Sequence, residues 1–209
     1  MTKISTLKTY AFAMLLFPLL MLSGCEGLVG PSTPTEFYRL TAVDLSGQAK
    51  GLALSSELKV GVGPISIPGY ADRSQIVSSG KGGKLIVDDL HHWAEPIHEN
   101  IERVMVSNIS SILSRAQVFS YPANFTPEPS SYQVAIEIIE MILLEDGKVQ
   151  LAASWNVKKM LNNRLMKRQA INYISQKSAT DLNDYSQILS GLLGQLALDI
   201  TASLQEVTN

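Results

Sequence analysis

Cysteine is all but missing from this chain. Cys25 is the only one in 209 residues, so no disulfide can form within the chain and the fold must stand on packing alone. Charge is scarce too. Lys and Arg number 17 against 19 Asp and Glu, for a net charge of −2, and no basic block stands out, which argues against a nucleic-acid partner. Histidine is limited to His91, His92 and His98. They lack cysteine partners, and adjacent residues on a strand face opposite ways, so they read as surface or capping residues rather than metal ligands. No Gly-x-Ser-x-Gly elbow is present to position a serine nucleophile. Gly80 to Gly83 leads into a second expected strand and not into a helix, which makes it a turn rather than a phosphate cradle. Glu137 with Glu140 and Asp88 with Asp89 read as solvated acids on sheet edges and loops. The absences leave no catalytic set, metal or cofactor to propose. No internal repeat or low-complexity tract is present, and beyond the N-terminus no segment reads as long and apolar enough to cross a membrane.

What is present begins at the N-terminus. Lys3 and Lys8 precede a short apolar run from Ala11 to Leu22, which ends in Leu22-Ser23-Gly24-Cys25. A basic region, an apolar region and small residues before a cut site make a secretory signal, and the cysteine turns it into a bacterial lipoprotein signal. The run is about half the roughly 20 residues that a membrane span needs. Residues 1–24 are expected to be removed, with Cys25 carrying fatty chains that hold the protein on a bilayer. Cleavage takes away two lysines and no acid, so the net charge moves from −2 to −4. Glu26 follows the cysteine where an aspartate tends to retain lipoproteins in the inner membrane. That favours the outer membrane, with the body facing the periplasm of a Gram-negative cell. Residues 25–35 form a Gly- and Pro-containing tether, and residues 36–209 suit one domain.

Periodicity then organises the body. Strands are expected at Glu36–Leu40 and Glu57–Val62, with Gly63-Pro64 and Pro68-Gly69 punctuating the stretch after them, and a hairpin at Ser74–Ser79 and Lys84–Asp88. From Trp93 to Arg115 the apolar steps become three and four residues, as on one face of a helix entered at Pro96. Tyr132–Ile138 and Val149–Val157 alternate around Asp146-Gly147 as a long hairpin, and Arg164–Ser175 adds a third strand after Asn162-Asn163. The run from Ile138 to Leu144 is apolar on both faces and reads as a central strand covered on both sides. A final amphipathic helix runs from Tyr185 to Leu204, capped by Asp181 or Asn183, with Gly191 and Gly194 placed for close packing on the sheet. The expected fold is therefore α+β: a mainly antiparallel sheet with two amphipathic helices packed on one face.

One string is more specific than these patterns. It is VGVGPISIPGYADRSQIV from Val60 to Val77, followed by WAEPI from Trp93 to Ile97 and then Ile101, Arg103, Asn108 and Leu113. With the lipobox and Phe37-Tyr38-Arg39-Leu40, it resembles the auxiliary lipoproteins of ABC-type transport systems, of the paraquat-inducible type. The resemblance covers most of the mature chain. It implies a non-enzymatic accessory that works with an MCE-domain protein in phospholipid transport between membranes and supports envelope integrity, and a ring or other homo-oligomer is consistent with it. Pro64, Pro68, Tyr70, Asp72, Arg73, Trp93 and Glu95 are then candidates for partner binding or for holding the loop. In the structural reading, prolines fix the turn, and Asp72 and Arg73 hold it by hydrogen bonds and charge. The alternative left open is a scaffold lipoprotein assisting outer-membrane protein or lipopolysaccharide assembly. Metabolic labelling with a clickable fatty acid is expected to mark the wild-type protein and to fail on Cys25→Ser; label retained by that variant refutes the lipid anchor.

Overall fold

The computed structural model describes residues 32–48, 57–113 and 116–208. Cys25, the segment before it and most of the tether lie outside the described residues. The chain divides into two units, Met1–Pro34 and Thr35–Asn209, and the second carries the sheet and both helices. Among its described residues are eight strands in one sheet: β1 (Glu36–Tyr38), β2 (Lys59–Ser66), β3 (Gln75–Ser79), β4 (Leu85–Trp93), β5 (Gln117–Ser120), β6 (Tyr132–Leu143), β7 (Val149–Lys159) and β8 (Arg164–Ile174). Two α-helices accompany them, α1 (Ile97–Ile112) and α2 (Leu182–Thr208).

β6 is the trunk of the sheet. One edge of it pairs with β7 along its whole length, and β7 pairs with β8, both antiparallel. This is the expected meander, with Gly147 (φ 79°) and Asn163 (φ 53°) in the turns where positive φ is needed. The other edge of β6 is shared. Its first half takes β2 in parallel, from Val60↔Tyr132 to Ser66↔Glu137, and its end takes β3 in parallel at Ser78↔Leu143. The sheet therefore forks into a β2–β5 branch and a β3–β4–β1 branch. β2 with β5 and β1 with β4 are parallel as well, so the sheet is mixed and not mainly antiparallel as expected. The reason is that alternation reports faces and carries no direction. The long connections, α1 among them, are what bring strands back in parallel.

Both helices lie on one face. Val60 and Val62 of β2, Val134, Ile136 and Ile138 of β6, and Leu151, Trp155 and Val157 of β7 form one buried cluster with Ile101, Met105 and Ile109 of α1 and Leu189, Leu193 and Ile200 of α2. α2 is long and apolar enough to meet the length and composition of a membrane span, contrary to the expectation from sequence. Its inward residues are fully packed in the core instead. At its start Asp181 accepts the Asp184 N–H at 2.8 Å, so Asp181 rather than Asn183 is the cap. α1 begins at Ile97 with Pro96 as its N-cap, later than expected, because β4 continues to Trp93. Ile139 sits at a bulge between Ile138 and Glu140 and is half exposed, so only part of the Ile138–Leu144 run is covered on both sides.

Gly194 does not approach the sheet. A Cβ there would lie 2.8 Å from Val43 Cγ2, while Gly191 has open space. Val43 belongs to an extended strap after β1 that both helices grip. Asn100 of α1 receives the Leu40 N–H at 2.7 Å and donates to the Leu40 carbonyl at 3.0 Å. Asn108, two turns on, receives the Val43 N–H at 2.9 Å, and Ser190 Oγ of α2 receives the Thr41 N–H at 3.1 Å. Asn100 and Asn108 are buried, and these bonds replace the water that the strap's backbone gives up. Asn100→Leu orphans a buried donor and a buried acceptor, and at about 1–3 kcal/mol each the loss is expected to reach at least ~2 kcal/mol in urea unfolding. Asn108→Leu is expected to cost less, because the Asn108 Nδ2 already lacks a partner; equal losses contradict this assignment.

Candidate functional site

The motif from Val60 to Val77 forms the fork of the sheet. Gly63-Pro64 does not end the strand. It lies inside β2, at a register shift between Val62 and Ile65. Gly63 has φ 126°, and a Cβ on it would fall 2.1 Å from the Tyr121 carbonyl, so only glycine fits. Its carbonyl accepts the Gln133 Nε2 at 2.9 Å. Pro64 next to it is exposed. The chain leaves β2 at Ser66 and makes a turn in which the Ala71 N–H reaches the Pro68 carbonyl at 2.9 Å. β3 then joins the far end of β6.

Between the two branches, β6 has backbone groups that neither β2 nor β3 reaches. Tyr70 fills that gap. Its hydroxyl accepts the Met141 N–H at 3.0 Å and donates to Glu140 Oε1 at 3.0 Å. Burial and the Glu140 carboxylate push the phenol up to about 12, which keeps it protonated as the bond to Glu140 requires. A third pin lies at the loop's exit, where the Trp93 N–H donates to the Ser74 carbonyl at 2.7 Å. Trp93 is buried and stacks at a tilt on Tyr185 of α2, with ring centroids 6.1 Å apart. It ends β4 and does not start the helix. Glu95 lies in the link before α1 and pairs with Arg103.

Asp72 and Arg73 stand between these pins, exposed, and neither side chain bonds or pairs with another described residue. The expectation that they hold the loop by hydrogen bonds and charge is therefore corrected. Pro68, Tyr70 and the backbone hold it, and the two charges are presented to solvent on a fixed support. The seven candidates thus separate. Tyr70 and Trp93 make contacts within the fold, Pro68 lies in the turn, Pro64 is exposed at the bulge, Asp72 and Arg73 are exposed and pair with no described residue, and Glu95 lies apart. Glu95 lines an open cleft with Glu99, Glu102, Arg103 and Val106 along α1. A second groove gathers Glu36, Tyr38, Asp88, His91 and Asp181. There His91 Nδ1 lies 2.7 Å from Asp88 Oδ1, without hydrogen-bond geometry. Burial and a hydrogen bond from Tyr38 to Glu36 push the Tyr38 phenol up to about 12. His98 is apart from both, its Nε2 2.6 Å from the Ile65 carbonyl. Among the described residues no group of three or more His, Cys, Asp or Glu is placed to hold a metal ion. From the sequence, Asn108 stood out only as part of the motif, with no role attached, and Asn100 not at all, although both interrupt the apolar face of α1.

The model of a family described as "ABC-type transport auxiliary lipoprotein component" matches residues 38–201. The chain belongs to this family. The match covers the strap, the fork, α1 and α2 as far as Thr201. No curated protein is significantly similar to the chain. Among the solved structures that share its fold are two that cover most of the chain. One is an uncharacterized protein, 14% identical, with a TM-score of 0.67 over 82% of this chain and 99% of its own. The other is protein XCC0632 from Xanthomonas campestris, 15% identical, with a TM-score of 0.61 over 81% of this chain and 97% of its own.

Tyr70→Phe is expected to lower stability by about 1–3 kcal/mol by orphaning the Met141 N–H, whereas Asp72→Ala and Arg73→Ala are expected to stay within about 0.5 kcal/mol of wild type. The pH dependence has a definite sign. The folded phenol titrates above its ordinary value near 10, so the Tyr70 contribution is complete below pH 10 and is lost as pH rises through about 12. The stability gap between wild type and Tyr70→Phe is expected to close over that window in chemical denaturation; a gap that persists above it refutes the clamp.

Proposed function

We propose that this chain is a docking subunit of an MCE-type intermembrane phospholipid transport system. In this reading it is acylated at Cys25, held on the outer membrane facing the periplasm, and not itself an enzyme. The observation that carries the reading is the family match over residues 38–201, which makes the protein auxiliary to a transporter. An auxiliary subunit needs a placed recognition surface rather than a reaction centre. The loop at the fork supports such a role, because Asp72 and Arg73 are unpaired charges on a backbone fixed by Pro68, Tyr70 and Ser74. Opposite charges side by side favour a partner surface that carries both signs, and rim charges of this kind set orientation and on-rate.

A photo-crosslinking residue placed at position 72 or 73 in intact cells is expected to capture an MCE-domain protein, with capture weakened by charge reversal at the other position. Capture of an outer-membrane β-barrel instead would replace this reading with the scaffold one.

A further inference from the structure

We propose that the tip of the β3–β4 hairpin docks on an anionic phospholipid surface. Leu85, Ile86 and Val87 open β4 and are 42%, 48% and 38% exposed. Register places Leu85 and Val87 on one face, opposite Ser79 and Val77, and Ile86 on the other. β1 covers only His91 to Trp93, so the outer edge of β4 is unpaired from Leu85 to Leu90 among the described residues. A hairpin that served only the core would be apolar on one side and polar on the other. This one is aliphatic on both sides at its exposed end.

The turn between the strands adds charge of one sign. Lys81 and Lys84 are exposed and pair with no described acid, and no Asp or Glu occurs from Ser74 to Val87. The adjoining β6–β7 turn carries Glu145 and Asp146, but Lys148 and Lys177 lie beside them, and Ile174 at the same end of β8 is exposed. This end of the sheet is therefore cationic and aliphatic in a chain whose net charge is −2. Lysines in the turn, ahead of an exposed aliphatic strand end and with the first acids, Asp88 and Asp89, set back along β4, suit a membrane interface. The ammonium groups meet lipid phosphates while the stems and aliphatic side chains enter the acyl boundary. A partner strand on the β4 edge would use its backbone and leave both lysines unexplained.

The position of the N-terminus points the same way. β1 is parallel to β4, so the chain enters β1 from the end at which β4 begins. Glu36 lies beside His91, six residues from Leu85, which is no more than about 20 Å along a strand. The ten residues between Cys25 and Glu36 reach at most about 35 Å. The inference rests on the proposed acyl anchor at Cys25, which puts a bilayer within reach of the tip.

The test uses the full acylated protein, in which Cys25 is blocked, carrying Ile86→Cys labelled with an environment-sensitive fluorophore. Vesicles of phosphatidylethanolamine with phosphatidylglycerol are compared with vesicles of phosphatidylcholine, each with brominated quencher lipids. On anionic vesicles the label is expected to shift to the blue and be quenched. A label at Leu161→Cys, on the exposed β7–β8 turn at the opposite end, is expected to stay in water. Each lysine contributes about fivefold to partitioning onto an anionic surface, so Lys81→Gln with Lys84→Gln is expected to lower the docked-to-free ratio by about 25-fold. A label that stays in water on both vesicle types overturns the proposal. So does protection that ignores the quencher lipids and grows with protein concentration, since a second copy then covers the tip. Flotation with phosphatidylcholine reports the anchor separately. Protein that floats while its tip stays in water refutes the hairpin alone, and protein that does not float there refutes the anchor. In that second case, tip quenching on anionic vesicles sustains the hairpin and its absence refutes it.

Discussion

A strand has one hydrogen-bonding edge on each side, and β6 must serve two partners with one of them. β2 takes the first half and β3 the end, and the chain between has to swing out and return. That leaves a peptide N–H in the gap that only a side chain can satisfy, and burial makes the bond obligatory. The Tyr70 hydroxyl supplies it. The turn at Pro68, the bulge at Gly63-Pro64 and the bond from Trp93 to Ser74 all surround this one requirement. The loop's rigidity, and so the fixed display of Asp72 and Arg73, is a by-product of closing the sheet.

Polar groups inside the core do the joining that disulfides do in many exported domains. Asn100, Asn108 and Ser190 attach the strap after β1 to both helices. Gly194 lets the strap approach closely enough for those bonds to form. Each of these residues sits at a helical spacing that would otherwise take an aliphatic side chain. The polarity of Asn100, Asn108 and Ser190 is tolerated because each accepts a backbone N–H of the strap.

Much of this was legible in the chain. The β6–β7–β8 meander and both helices followed from periods of 2 and 3.6, with Asp146-Gly147 and Asn162-Asn163 marking the turns. The direction of β1, β2 and β3 was not, because alternation is the same whichever way a strand runs. Gly63-Pro64 looked like a stop because proline interrupts most strands, but at a bulge its missing N–H is no loss. Trp93 and Glu95 were assigned to a helix start since an apolar residue and an acid fit either context. At the site, Tyr70 stood out within the motif, yet its role depends on Met141, 71 residues away, which no local pattern encodes. Asp72 and Arg73 were expected to hold the loop by hydrogen bonds and charge for a similar reason: whether a charged side chain finds a partner depends on distant residues that no local pattern encodes.

The strap has a mechanical consequence. β1 and the strap after it are bound sideways to β4, α1 and α2. A pull along the axis of β1 therefore loads these bonds in shear, all together, instead of peeling them one at a time. That geometry spreads force over many bonds and keeps the first strand from being drawn out of the fold.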